Sequence, residues 1–340
     1  MTCCVLTRWT SRGGAIKSAL ALSLLLLVSW VGTGCTEQSS PGDASGGGGE
    51  KRVVGVTMQN LTNPFFTVIA DHLKAELEGH GYEIQLFSAE GDVARQQSQI
   101  QDFIVNGAAA IVLNPRDSKA IGPAIVEANK KGIPVFTVDI ACLDPTAKVT
   151  AHIGTDNLQG GKLAGEAMIE ALGGKNGKVA ILDFNMVESC ILRVQGFKEV
   201  IEAHNKSGKP GKIEICGEWN SGGSKAVGFA STQDLLQPHG DVAAIFAIND
   251  PSALGARAAL EQAGKADQVK LIGFDGQPEG KEAIRDGKIY ADPIQFPDQM
   301  GVRVGKAILT YFSGEPVDPV QLIPTSLYRQ ADAKADPEIQ

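Results

Sequence analysis

From residue 53 onward, short apolar runs and amphipathic stretches alternate along this chain with little interruption. The apolar runs fall at 53–56, 83–87, 109–113, 134–138, 178–182, 212–216, 242–246, 269–274 and 290–294, lengths suited to buried strands. Between them, residues 64–79, 93–105, 158–172, 191–204 and 251–263 repeat apolar positions at the helical period. Strands alternating with helices predict an α/β fold built on parallel sheets with helices on both faces. After Val149 the series begins again, with a small apolar segment at 150–154 and a fresh strand–helix succession behind it. Two open sheets in series, hence two lobes, satisfy this pattern, and so does one closed (β/α)8 barrel. Periodicity does not choose between them.

The first 34 residues follow another rule. Arg8, Arg12 and Lys17 precede an apolar run at 19–28, and no acidic residue comes before Glu37. This is the charged and apolar plan of a secretory signal, too short and too early for a spanning helix. It ends in small residues directly before Cys35 and resembles a bacterial lipoprotein signal, with Cys35 as the lipidated residue, although Gly32 stands where leucine is usual. Residues 35–50 are rich in Ser and Gly and predict a flexible tether. Three of the 31 basic residues leave with the signal, so 28 face 39 acidic ones, a net charge of −11. That balance repels nucleic acid. Cys142, Cys190 and Cys216, with Cys35, have neither the spacing of a disulfide scaffold nor that of a metal site, and the five histidines form no ligand pattern.

Chemistry concentrates just past the strands. Asn63 follows the first run, Asp139 the fourth, Asn249 and Asp250 the seventh, Asp275 the eighth and Gln295 the ninth. Phe65, Phe66, Trp219 and Phe274 accompany them. In open α/β sheets, ligands bind in the crevice beyond the strand C-termini. Asn63 before Pro64 suits a helix N-cap, Asn249 and Asp250 suit the helix that Pro251 opens, and Asp275-Gly276 suits a turn. As a set, these carboxylates, amides and flat aromatic faces also suit a hydroxyl-rich ligand.

Six motifs now carry a resemblance: Thr62-Asn63-Pro64-Phe65-Phe66, the run from Val112 to Ser118, Gly160 to Gly165, Asn249-Asp250, Gly273-Phe274-Asp275-Gly276, and Pro297 to Gly301. In this order and spacing they resemble the ribose-binding-protein branch of periplasmic sugar receptors for ABC importers, over Lys51 to Tyr328. The resemblance implies two Rossmann-like lobes, each a parallel sheet flanked by helices, joined by a three-crossing hinge, and it rejects the barrel. Residues 51–153 plus 296–324 would form the N-terminal lobe, and 154–295 plus 325–340 the C-terminal lobe. Crossings would lie near 152–155, 295–296 and 323–325.

The same resemblance assigns roles. Asn63, Asp139, Asn249, Asp275 and Gln295 would hydrogen-bond ligand hydroxyls, Phe65, Phe66 and Trp219 would stack on or enclose the ring, and Gln59, which stands where that branch has a small hydroxyl residue, and Phe274 would complete the binding set. Ile140 and Ile191 stand where that branch places arginines, so both guanidinium forks would be missing and little cation would remain for an acidic ligand. The implied protein is a non-enzymatic, monomeric receptor without cofactor or metal. It would bind a small neutral sugar or polyol, dock on ABC permease subunits and touch the membrane only through its lipid anchor. A sensor presenting a sugar or furanosyl signal to a chemoreceptor or kinase is the alternative, and a sugar-processing enzyme ranks behind both. Cys142 and Cys190 fall near the two isoleucines, one per lobe. They are expected to be unpaired, since a bridge needs Cα atoms within about 7 Å.

Overall fold

The computed structural model describes residues 52–340; the expected signal, Cys35 and the tether lie outside them. The first half runs β1 (Arg52–Met58), α1 (Pro64–Leu77), β2 (Tyr82–Ser88), α2 (Val93–Val105), β3 (Ala110–Leu113), α3 (Gly122–Lys130), β4 (Val135–Val138) and β5 (Ala151–Thr155). The second runs α4 (Asn157–Leu172), β6 (Gly177–Asp183), α5 (Glu188–Lys206), β7 (Ile213–Asn220), α6 (Lys225–Leu236), β8 (Ala244–Ala247), α7 (Asp250–Gln262), β9 (Lys270–Ile272), α8 (Pro278–Arg285) and β10 (Ala291–Ile294). Then come α9 (Pro297–Ser313), β11 (Val320–Ile323), β12 (Ser326–Arg329) and α10 (Gln330–Ala335).

The strands form two six-stranded sheets, ordered β11-β5-β4-β3-β1-β2 and β12-β10-β9-β8-β6-β7. Every strand pairing is parallel except β10 with β12. Strands β3, β4 and β8 are buried at every position, which explains why they read as unbroken apolar runs rather than as alternating ones. Helices α1 and α9 pack together over the first sheet, α4 and α5 over one face of the second, and α6 and α7 over its other face. Strand order is the same in both halves, a repeated doubly wound unit whose reversal point opens a crevice at the strand C-termini.

The chain passes between the sheets three times, after Thr155, after Ile294 and after Ile323. The first passage falls two residues later than the 153/154 boundary expected from sequence. Gly154 and Thr155 stay in the first sheet because Leu322 and Ile323 of β11 pair with them. Side chains lace the passages together. Thr155 Oγ1 donates to Gln295 Oε1 at 2.7 Å, and Gln159 exchanges two hydrogen bonds with the backbone of Thr325 at 3.0 and 2.9 Å.

Candidate functional site

A cleft of about 770 Å³ opens where the strand C-termini of both sheets meet. Its walls come from the segments that directly follow β1, β2, β3 and β4 on one side and β6, β7, β8, β9 and β10 on the other. Three non-glycine residues have positive φ among the described residues: Glu90 (53°), Asp139 (64°) and Asp275 (108°), and all three line this cleft. Such conformations cost on the order of 1–3 kcal/mol each. Asp139 and Asp275 are also buried, so strain and desolvation converge on the two strand-end carboxylates.

Asp139 sits at the end of β4, its backbone N–H donating to Ile153 O at 2.8 Å. Its Oδ2 accepts from Asn114 Nδ2 at 2.9 Å, and among the described residues no cation pairs with it directly. Burial raises its pKa from the carboxylate range to about 7, only partly opposed by the more distant Arg193. Asp275 is the reverse. Its Oδ1 accepts from Arg193 Nη1 at 3.0 Å and from Gln295 Nε2 at 2.6 Å, and its Oδ2 accepts from Gln277 Nε2 at 3.0 Å. Burial still raises its pKa, with Arg193 as the main opposing influence.

The amides divide in the same way. Asn63 caps α1 through Oδ1, which accepts the Phe65 N–H at 3.0 Å. Asn249 caps α7, with Oδ1 on the Ser252 N–H and Nδ2 on Gly223 O, both at 3.0 Å. Both residues therefore cap helices and line the cleft together. Gln59 accepts from Arg116 Nη1 at 3.3 Å, and the Arg116 guanidinium lies 4.5 Å from the ring centre of Phe184, across from the other sheet. Phe65 and Phe66 meet edge to face at 5.4 Å on the same wall as Gln59 and Arg116.

Nine of the twelve residues expected at the site line the cleft: Gln59, Asn63, Phe65, Phe66, Asp139, Ile140, Asn249, Asp275 and Gln295. Ile191, Trp219 and Phe274 do not. On α5 the buried face holds Ser189, Cys190, Arg193 and Val194, which turns Ile191 outward to 38 % exposure. Trp219 is redirected by a β-bulge. Val179 pairs with Ile215 and Ala180 with Gly217, so Cys216 is skipped and the side-chain alternation of β7 flips. Ile213 and Ile215 join the core under α4 and α5, whereas Trp219 packs on the other face and meets His239 edge to face. Phe274 is fully buried beneath the site. The Arg193 guanidinium lies 3.8 Å from its ring centre, and the lack of a Cβ on Gly160 makes room for the ring.

The expected shortage of cations is also corrected. Arg193 occupies the cleft at 3 % exposure, with Nε on Asn157 Oδ1 at 2.8 Å and Nη1 on Ile248 O at 2.7 Å, and Arg116 stands on the facing wall. Helical phase hid Arg193: it lies on the same buried face of α5 as Ser189, four residues earlier, and only two residues past the outward-facing Ile191. Phe184, missed as well, follows β6 in the strand-end position that singled out Asn63 and Asp139. Cys142 and Cys190 are free thiols, and burial pushes the Cys190 thiol up to about 12.

Two parallel sheets crossed three times by the chain, with strained carboxylates facing a shared cleft, define a two-lobed solute-binding module. The family description "Periplasmic binding protein domain" matches residues 54–316. The ribose import binding protein of Salmonella typhimurium is 34% identical over 275 residues, spanning 80% of this chain and 90% of that protein. A solute-binding protein of an ABC transporter from Bacillus halodurans, solved with myo-inositol, is 29% identical with a TM-score of 0.76, covering 86% of this chain and 98% of that one. Another from Agrobacterium vitis, solved with D-fucose, is 29% identical at a TM-score of 0.76, covering 84% and 98%. The chain belongs to the periplasmic binding protein family.

Proposed function

We propose that this protein is an extracytoplasmic receptor that binds a small neutral sugar or sugar-like polyol in the cleft and delivers it to an ABC-type importer. The observation that carries the reading is the pair of strained, buried carboxylates facing one cleft between two lobes, in a chain whose relatives bind ribose, inositol and fucose. Strain of this kind persists where surrounding structure enforces it, commonly at ligand clamps. Asp139 offers acceptor capacity that no protein cation claims, matching a hydroxyl pair on the ligand. Asn63, Gln59, Asn249 and Gln295 offer amides, and Phe65, Phe66 and Phe184 offer faces for sugar C–H surfaces. Arg193 is committed to Asp275 and Arg116 to Gln59 and Gly91, an arrangement that favours an uncharged ligand over a carboxylate or phosphate.

Ligand closure of the lobes about the three crossings would present a docking surface to the permease subunits. The receptor acts as a monomer, needs no cofactor and turns over no substrate. Lipidation at Cys35 would hold it by its tether at the outer surface of the inner membrane, an assignment that rests on sequence alone.

A thermal-shift panel of pentoses, hexoses, deoxysugars, polyols and furanosyl compounds tests the reading. A ligand at a hundred times its Kd adds about 2.7 kcal/mol of stability, a readily measured shift. No shift with any carbohydrate or polyol would overturn it.

A further inference from the structure

Behind the Asp275 wall, three buried carboxylate oxygens have no well-formed hydrogen bond from any donor among the described residues: Oδ1 of Asp250 and both oxygens of Asp292. The two residues are sealed, at 1 % and 0 % exposure, and their side chains lie within hydrogen-bonding reach of one another. Two ionised carboxylates are both acceptors and repel; a hydrogen bond between them requires that one be an acid. The backbone is fitted around the pair, because a Cβ on Gly280 would overlap Asp250 and one on Gly273 would overlap Asp292.

We propose that Asp250 and Asp292 hold a single proton between them at neutral pH and act as positioning residues for Asp275. Asp250 Oδ2 accepts the Gln277 N–H at 2.7 Å, and Gln277 Nε2 donates to Asp275 Oδ2 at 3.0 Å. The pair thereby ties α7, β10 and the start of α8 to the cleft carboxylate. Burial lifts Asp292 to about 6 and Asp250 well above the carboxylate range, with Asp275 adding like charge to both.

Among the described residues, no cation offsets this directly. Arg193 of α5 reaches the pair only through Asp275. On α4, Lys162 pairs with Glu199, Glu170 pairs with Arg329, and Glu166 is exposed. On α8, Glu279 meets Lys225, and Lys281 meets Asp336 and Glu338. On α7, Arg257 pairs with Glu261, and on β12, Tyr328, register partner of Asp292, sends its hydroxyl to Asp336. Loss of the proton would leave three buried negative charges beside one arginine.

The sign follows from linkage. These acids titrate higher in the folded chain than in the unfolded one, so the native state holds an extra proton and stability falls as pH rises through that window. Chemical denaturation of the ligand-free protein from about pH 5 to about pH 9 reads the slope. Asp292→Asn and Asp250→Asn keep the shape, supply an amide donor to the remaining carboxylate, and should each remove close to one proton from the wild-type slope. Slopes equal to wild type would overturn the proposal.

Infrared spectroscopy decides the matter without those variants. In Asp139→Asn protein, which lacks the cleft carboxyl raised to about 7, a protonated-carboxyl C=O band should persist at about pH 8; its absence would equally overturn the proposal. Neither measurement uses a sugar, so the result stands or falls apart from the receptor reading.

Discussion

Asp139 and Asp275 occupy equivalent places in the two halves: each follows its lobe's fourth strand, each has positive φ, and each is buried in the cleft. Their surroundings differ completely. Asp275 accepts from Arg193, Gln295 and Gln277, so its oxygens are spent on the protein. Asp139 accepts from Asn114 alone, and its charge is the less well compensated. One repeated position thus serves as scaffold in the second lobe and as an open acceptor in the first. Topological equivalence fixes where a carboxylate stands, and the neighbouring side chains decide what it is for.

The largest expected effect breaks the scaffold side. Asp275→Ala leaves the Arg193 guanidinium buried without its counter-charge, which costs about 3–5 kcal/mol. Urea denaturation should show that loss, whereas Asp139→Ala should lower stability by no more than about 1 kcal/mol, the worth of one hydrogen bond. Equal destabilisation of the two variants would abolish the distinction.

Binding should invert the ranking of what each residue does. Asp139→Ala should weaken the sugar found in the thermal-shift panel by about ten- to hundredfold, equivalent to 1.5–3 kcal/mol for hydrogen bonds to a charged acceptor. Its pH dependence sharpens the point. In the empty cleft Asp139 titrates near 7, and ligand hydroxyls donate to the ionised form. Binding therefore releases a proton, and affinity should climb as pH rises from about 5.5 to about 8. Stability of the empty protein runs the other way, because the raised carboxyl holds a proton that the unfolded chain has lost. Calorimetry at both pH values, with Asp139→Asn as the flat control, checks the sign. A wild-type affinity independent of pH would remove Asp139 from ligand contact.

Much of this was legible in sequence because strand ends are local. An Asn before Pro, or an Asp after a β-branched run, caps or turns whatever the tertiary fold, and four such residues, Asn63, Asp139, Asn249 and Asp275, fell on one cleft, whereas Gln59 and Ile140 were singled out by the family resemblance. What escaped was set by phase and by distance along the chain. A single skipped residue at Cys216 reverses the face on which Trp219 lies, and no composition rule marks a bulge. Ile191 and Arg193 are only two residues apart, yet the start of α5 at Glu188 sends one outward and the other inward. Phe274 reads as an aromatic wall until Arg193, 81 positions earlier, is seen to cover it. The end of the first lobe depends on β11, which returns to pair with β5 from the far end of the chain. The choice of two lobes over a barrel came from the family resemblance, since both folds share one periodicity.

The smallest effect concerns the rims, where the two walls touch directly. Ser118, after β3, accepts the Glu188 N–H at 2.9 Å and donates its own backbone N–H to Met186 O at 3.1 Å, beside the Arg116–Phe184 stack. Ser118 is buried but does not line the cleft. Ser118→Ala keeps the backbone bond and deletes the one made by the hydroxyl, about 1 kcal/mol of closed-state stabilisation. Release of the bound sugar in stopped flow should therefore quicken by up to about fivefold, while the ranking among sugars stays as in wild type. A changed ranking would place Ser118 in ligand recognition, as expected of Asp139 but not of a rim contact. An unchanged release rate would mean that closure draws its stability from the ligand and the cleft alone.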